Sequence, residues 1–173
     1  MVKGNRKENH AKVQKKKNVV KKENRMIYLG ADHAGFYLKE AVKKYLAQKS
    51  IAFRDLGNVV YDHQDDFPDF ALRVAHKISG TKHRGLLFCG SATGMVIAAN
   101  KISGIRAGAA HNEYTARQSK EHDDVNILVL PARLITTQTA KRLIVLWMKT
   151  KFSKKEKYRR RVRKIQKIEQ GKM

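Results

Sequence analysis

The sequence contains a single cysteine and no long apolar run. Because Cys89 has no second cysteine to pair with, an intramolecular disulfide is excluded, which fits a reducing compartment. No apolar segment approaches the roughly 20 residues that a membrane-spanning helix needs. Residues 1–25 also lack the apolar centre of a signal peptide. We therefore expect a cytoplasmic protein with no membrane partner.

Acidic residues are scarce, with 15 Asp and Glu against 38 Lys and Arg, giving a net charge of +23. The excess lies at the ends: Met1–Arg25 holds ten basic and two acidic residues, and Lys149–Met173 holds twelve and two. The middle of the chain is closer to charge balance, with sixteen basic and eleven acidic residues. We expect a basic, disordered tail over 1–25, a folded domain over 26–152, and a basic helix and tail over 153–173.

The basic ends suggest one class of function, nucleic-acid binding. Runs of Lys and Arg attract phosphate backbones without sequence preference. No zinc finger or aromatic RNA-reading motif accompanies them. Nucleic-acid binding through the basic termini therefore stays open, either as the main function or as an accessory property.

Strand-like and helix-like segments alternate from residue 26 onward. Strands are predicted over 26–30, 51–56, 85–88, 105–110 and 126–130. Helices are predicted over 36–49, 69–79, 95–99, from an Asn112 cap to about 122, from a Thr136 or Thr137 cap onward, and over 154–170. The last helix has an apolar stripe formed by Tyr158, Val162, Ile165 and Ile168. This alternation predicts an α/β fold, with a five-stranded parallel sheet between two layers of helices.

Ligands of such sheets bind beyond the carboxyl ends of the strands. The turns expected there hold Asp32 and His33, the stretch from Cys89 to Gly94, His111, and Arg133. Nucleophile, base and cation side chains are therefore predicted to share one edge. Asp65 and Asp66 have no second acidic cluster to complete a metal site, so no metal is expected there.

The stretch LLFCGSATGMVIAANK, residues 86–101, reads as a buried strand, a turn of small residues and a helix. Unpaired N–H groups at a helix start favour a phosphate or a developing oxyanion. A cysteine at this point is expected to have a lowered pKa and to react as the thiolate. The alternative is an inert cysteine buried at a strand end. The glycine-rich patterns GxGxxG and GxxxxGK[ST] are both missing, which excludes the two commonest nucleotide loops.

Four motifs occur in order, and together they resemble the type B ribose-5-phosphate isomerases, a family that also includes isomerases of allose 6-phosphate and galactose 6-phosphate. The motifs are GADHAGFYLKE (30–40), DFPDFA (66–71), CGSATGMVIAANKISGIRA (89–107) and EYTARQSKEHDDVNIL (113–128). The resemblance covers about residues 26–168. It implies a Rossmann-like fold and an aldose–ketose isomerase without a cofactor, most simply one acting on ribose 5-phosphate through an enediolate. It also implies a homodimer or tetramer whose last helix packs on a neighbouring subunit and whose active site is built between two subunits.

The resemblance also implies roles for individual residues. Cys89 matches the base that moves the proton between C1 and C2, and His122 matches the histidine that assists ring opening, with Asp32 beside the sugar. Residues matched to sugar binding or to holding the enediolate oxygen are His33, Gly90, Ser91, Gly94 and Asp123. Residues matched to phosphate binding are Arg133, Lys157 and Arg161.

The chain departs from the family pattern at four of the matched positions. Ala92 stands where glycine is usual, which matters if that position needs a positive φ. Asp123 replaces an asparagine and adds a negative charge. Lys157 and Tyr158 stand where arginine and histidine are expected, and lysine lacks the bidentate geometry of arginine. The identity of the sugar therefore stays open among the ribose, allose and galactose types.

Overall fold

The sheet has five strands, all parallel, in the order β2-β1-β3-β5-β4. The structure is a computed structural model that describes residues 25–172, so the predicted tail lies outside the described residues except for Arg25. The strands are β1 (Ile27–Ala31), β2 (Phe53–Asp55), β3 (Arg84–Cys89), β4 (Ala107–Ala109) and β5 (Ile127–Pro131). The helices are α1 (Phe36–Gln48), α2 (Phe67–Ile78), α3 (Thr93–Ala99), α4 (Glu113–Asp123), α5 (Thr137–Lys149) and α6 (Glu156–Glu169). The predicted α/β architecture is confirmed.

The central strand β3 is buried along its whole length because helices cover both of its faces. Side chains of a strand alternate between faces. Leu86 and Phe88 belong to the apolar cluster formed with α1 and α5, where Trp147 is fully buried. Leu87 and Cys89 belong to the opposite cluster, formed with α2 and α3. Cys89 therefore lies at the end of a strand that is buried between the two layers of helices.

Two predicted helix caps are present. The Asn112 side chain accepts a hydrogen bond from the Thr115 backbone N–H (2.9 Å), and the Thr136 hydroxyl accepts one from the Thr139 N–H (3.2 Å). Each cap satisfies a donor that has no partner within its helix. Among residues 25–172 no helix is both long and apolar enough to cross a membrane.

The last helix packs less completely than its sequence pattern indicates. Tyr158 and Val162 are buried, but Ile165 is 40% exposed and Ile168 is 62% exposed. The second half of the predicted apolar stripe of α6 is therefore only partly covered by residues 25–172.

Gly35 brings the turn after β1 against the end of β3. A Cβ atom at this position would lie 2.1 Å from the Phe88 carbonyl oxygen, so only glycine fits. The Asp32 N–H donates to that same oxygen (3.3 Å), and the Asp32 carboxylate accepts a bond from the Gly35 N–H (2.8 Å). This close approach sets Asp32 beside Cys89.

A buried lysine ties α1 to the segment after β2. Lys39 is fully buried, and its ammonium donates to the Asp55 carboxylate (2.6 Å) and to the Asn58 carbonyl (2.6 Å). Lys43 also pairs with Asp55 (2.8 Å). Burial works to raise the pKa of Asp55, but hydrogen bonds from Lys39, Lys43 and the Gly57 N–H outweigh it and leave the pKa lowered.

Asp55→Asn should lower the free energy of unfolding by about 2 kcal/mol at neutral pH, since it removes hydrogen bonds between charged groups. Because the pKa of Asp55 is lowered in the folded state, its ionised carboxylate stabilises the fold at a pH above the unfolded-state pKa. This stabilisation is lost as the carboxyl becomes protonated at lower pH. The difference in the free energy of unfolding between the variant and wild type should therefore narrow below about pH 4. Urea unfolding across pH measures it, with the exposed Asp62→Asn as control. A difference that stays constant down to low pH would contradict this origin.

Candidate active site

The end of β3 and the end of β5 form the floor of the candidate site. Cys89 pairs with Pro131 in the sheet, and the Ala132 N–H donates to the Cys89 carbonyl (2.8 Å). The Arg133 N–H donates to the Gly90 carbonyl (3.2 Å), and the Arg133 side chain lies over Gly90. Asp32 and His33 reach the same edge through the turn after β1. The predicted grouping of these turns at the carboxyl edge is confirmed.

Cys89 and Asp32 form a buried pair, with exposures of 7% and 5%. Burial, a hydrogen bond from the thiol to the Asp32 carboxylate, and the charge of that carboxylate together raise the pKa of Cys89 to about 11. The backbone N–H groups of Ala92 and Ser91 act in the opposite direction but are weaker. The sequence-based expectation of a lowered cysteine pKa was wrong, because it counted the helix start and neither the burial of the thiol nor the carboxylate. The resting group is a thiol that donates to Asp32.

Asp32→Asn should lower the pKa of Cys89, since it removes the negative charge and keeps an oxygen that can accept the Gly35 N–H. The measurement is a pH titration of the 13Cβ signal of labelled cysteine, which is unambiguous because the chain has one cysteine. The wild-type signal should not titrate before its pKa of about 11.

The exposed Asp69→Asn on α2 serves as the control, and its titration should match wild type. An unchanged or higher midpoint in Asp32→Asn would show that burial alone sets the cysteine pKa.

Ala92, in the loop after Cys89, has a left-handed backbone with φ of 71°, and its side chain is fully buried. The conditional expectation at this position is therefore met: the backbone adopts the positive φ that favours glycine. Strain of this kind costs an alanine about 1–2 kcal/mol. A Cβ at Gly94 would lie 2.7 Å from the Phe67 ring, so that ring covers the end of the loop.

Ala92→Gly should change the free energy of unfolding by less than about 1 kcal/mol. Relief of about 1–2 kcal/mol of strain offsets about 0.8 kcal/mol of methyl burial and about 0.4–1 kcal/mol of added chain entropy in the unfolded state. The matched control is Ala99→Gly in α3, which is equally buried but has no left-handed strain to relieve. Equal destabilisation of the two variants in urea unfolding would contradict strain at Ala92.

The Asp65 carboxylate contacts His33, and the sequence did not predict this contact. The Asp65 Oδ1 accepts bonds from the His33 backbone N–H (2.9 Å) and lies 2.8 Å from the His33 Nδ1. The Asp65 Oδ2 accepts from the Asn58 side-chain amide (3.1 Å). The imidazole is partly exposed, whereas the Asp65 side chain is 5% exposed. Among the described residues no group of three or more His, Cys, Asp or Glu side chains is arranged to hold a metal ion.

The other predicted residues form a second group, at the end of α4 and the start of α6. The His122 ring stacks on Tyr158, with centroids 3.9 Å apart and planes 10° from parallel. The ammonium of Lys157 lies 4.8 Å from the Tyr158 ring centre, and the guanidinium of Arg161 lies 5.9 Å from it. Asp123, the last residue of α4, is exposed. The sequence placed Tyr158 in the apolar stripe of the last helix and marked it as a departure from the family pattern, but it did not predict the contact with His122.

The two groups lie at opposite edges of the sheet. Helix α4 begins after the carboxyl end of β4 and returns the chain to the amino end of β5, so His122 lies beside the amino edge. Eleven helical residues span about 16 Å at 1.5 Å per residue. Within one chain, His122 therefore lies about one helix length from the edge that holds Cys89.

The family model described as Ribose/Galactose Isomerase matches residues 27–165. The chain belongs to the ribose/galactose isomerase family. Ribose-5-phosphate isomerase B of Escherichia coli is 33% identical over 145 residues, covering 83% of this chain and 96% of the relative. D-erythrulose-4-phosphate isomerase of Pectobacterium atrosepticum is 37% identical over 127 residues, covering 73% and 84%.

One solved structure is similar to this chain in its fold as well as in its sequence. Ribose-5-phosphate isomerase B of Mycoplasma genitalium, with bound ribulose-5-phosphate, superposes with a TM-score of 0.80 at 34% identity, over 84% of this chain and 96% of that one. These comparisons confirm the resemblance stated from the four motifs and place the chain among sugar-phosphate isomerases. They give no support to nucleic-acid binding as its main function.

Proposed function

We propose that the protein interconverts an aldose phosphate and its ketose phosphate, with ribose 5-phosphate and ribulose 5-phosphate as the favoured pair. The observation that carries this proposal is the Cys89–Asp32 pair beside a loop of backbone donors, at the edge that also presents Arg133. Proton transfer next to a carbonyl needs a positioned base and donors for the oxygen that becomes negative. This edge offers both within a few residues.

In the proposed reaction Asp32 first takes the thiol proton from Cys89. The resulting thiolate removes the proton from C2 of the open-chain aldose, and the electron pair moves onto the carbonyl oxygen to form the enediolate. Backbone N–H groups of the loop from Gly90 to Gly94 donate to that oxygen. A proton passes from the C2 hydroxyl to the C1 oxygen, and Cys89 returns its proton to C1. Asp32 then gives the thiol proton back to Cys89, so no proton is gained or lost overall. His33 contacts a sugar hydroxyl.

We also propose that a second copy of the chain supplies the remaining groups. His122 would assist ring opening, with Asp123 near the sugar, while Lys157 and Arg161 would bind phosphate together with Arg133 of the first copy. Apolar side chains left exposed at the carboxyl edge support association, notably Ile97 (57%), Tyr114 (72%) and Leu134 (72%). A groove of about 850 Å³ beside β4 is lined in part by the uncovered Ile165 and Ile168.

Direct assay of the purified protein tests the reaction. Ribose 5-phosphate should give the highest kcat/KM when compared with allose 6-phosphate, galactose 6-phosphate and erythrulose 4-phosphate. Cys89→Ala should abolish turnover and still bind the sugar, because the side chain acts on the proton and not on the phosphate. Wild-type turnover in Cys89→Ala would reject the cysteine as base, and turnover of none of these sugars would reject the function.

Arg161→Ala should raise KM for the phosphosugar at least tenfold, since it removes a charged phosphate contact. Its matched control is the neighbouring Arg160→Ala, which removes an equal charge on the face of α6 turned away from Tyr158. Equal effects of the two substitutions would indicate general electrostatic attraction and would contradict a specific phosphate contact.

The outward face of α6 supports an accessory contact with nucleic-acid phosphates. Arg160, Lys164 and Lys167 are exposed at helical spacings of four and three residues, on the side opposite the buried Tyr158 and Val162. Lysine and arginine contacts to phosphates weaken steeply as salt rises. Replacing Arg160, Lys164 and Lys167 together by glutamine should weaken binding to a mixed-sequence RNA and reduce its salt dependence, with isomerase kinetics unchanged. Binding that is unaffected would exclude this face.

A further inference from the structure

Asp65 lies on the segment between β2 and α2, a segment that is itself fixed to α1. The buried Lys39 ammonium holds the Asn58 carbonyl, and the Asn58 amide donates to the Asp65 Oδ2 (3.1 Å). The other oxygen, Oδ1, is then directed at His33, where it meets both the backbone N–H and Nδ1. A chain of hydrogen bonds therefore runs from α1 through this segment to the His33 ring.

A carboxylate that accepts from Nδ1 keeps the imidazole proton on that nitrogen. In the neutral ring the other nitrogen, Nε2, is then a hydrogen-bond acceptor. No partner for Nε2 is found among residues 25–172, and the ring is 34% exposed beside the turn that carries Asp32. The Nε2 atom of His33 can therefore accept a hydrogen bond from a hydroxyl group.

We infer that Asp65 is a positioning residue, which fixes the Nδ1–H tautomer of His33 so that Nε2 accepts a hydrogen bond from a sugar hydroxyl. The tautomer part of this inference stands on the hydrogen bonds alone, and the sugar part rests on the proposed function. Asp65 does not itself touch the sugar. The neighbouring Asp66 is exposed and makes no side-chain cap to α2, so it does not share this role.

The first test is the tautomer, read from the imidazole 15N shifts of the full-length protein, with His33→Asn used to assign the His33 signals. Wild type should show the Nδ1–H form. Asp65→Ala should lose it, Asp65→Asn should retain part of it because the amide oxygen is a weaker acceptor, and Asp66→Asn should match wild type. An unchanged tautomer in folded Asp65→Ala would overturn the inference whether or not the protein is an isomerase.

The second test is kinetic and uses the best phosphosugar of the assay. Asp65→Ala should reduce kcat/KM about 10–100-fold, the range typical of groups that orient a site residue from behind, with Asp65→Asn between it and wild type. In the His33→Asn background, Asp65→Ala should have no further effect, because its only route to the sugar is through His33. Additive losses, or a shifted tautomer with unchanged kinetics, would overturn the positioning role and leave the isomerase function standing.

Discussion

Each crossover helix of a parallel sheet must carry the chain from the carboxyl end of one strand back to the amino end of another. Helix α4 obeys this constraint, and it separates the residues of the proposed reaction. Cys89 ends β3, while Asp32 and Arg133 follow β1 and β5, and all three lie at one edge. His122 lies in the last turn of α4, beside the other edge. In the proposed reaction the two groups would therefore come from two copies of the chain.

The electrostatics of the cysteine depend on a second constraint, the close contact of two turns. Gly35 lets the turn after β1 lie against Phe88, and this places the Asp32 carboxylate at the thiol of Cys89. Burial and the Asp32 carboxylate together oppose the thiolate more strongly than two backbone N–H groups favour it. In the proposed reaction the carboxylate that helps to keep the resting cysteine protonated would also accept its proton.

Much of the fold could be predicted from sequence because its signals are local. Short apolar segments identified the five strands, and Asn112 and Thr136 marked two helix starts through bonds to residues three positions away. The grouping of Asp32, Cys89 and Arg133 followed from the rule for parallel sheets. Ala92 could be marked as conformationally unusual because alanine stands where the family has glycine.

What could not be predicted depends on contacts between distant segments. The pKa of Cys89 is raised by burial and by Asp32, which follows a different strand. The bond between Asp65 and His33 depends on how Lys39 fixes the segment after β2. The stacking of His122 on Tyr158 needs α6 to fold back on α4. The sequence of α6 predicted an apolar stripe but not that Ile165 and Ile168 are exposed, because helical spacing does not show which residues pack against the stripe.

Mixing two inactive variants tests the shared site most directly. Cys89→Ala and His122→Asn alter opposite edges of the sheet, so a mixed dimer has one site with both changes and one with neither. After equal amounts are unfolded together and refolded, random pairing in a twofold dimer should restore about a quarter of wild-type activity. Activity no higher than that of the separately refolded variants would contradict a site built from two chains.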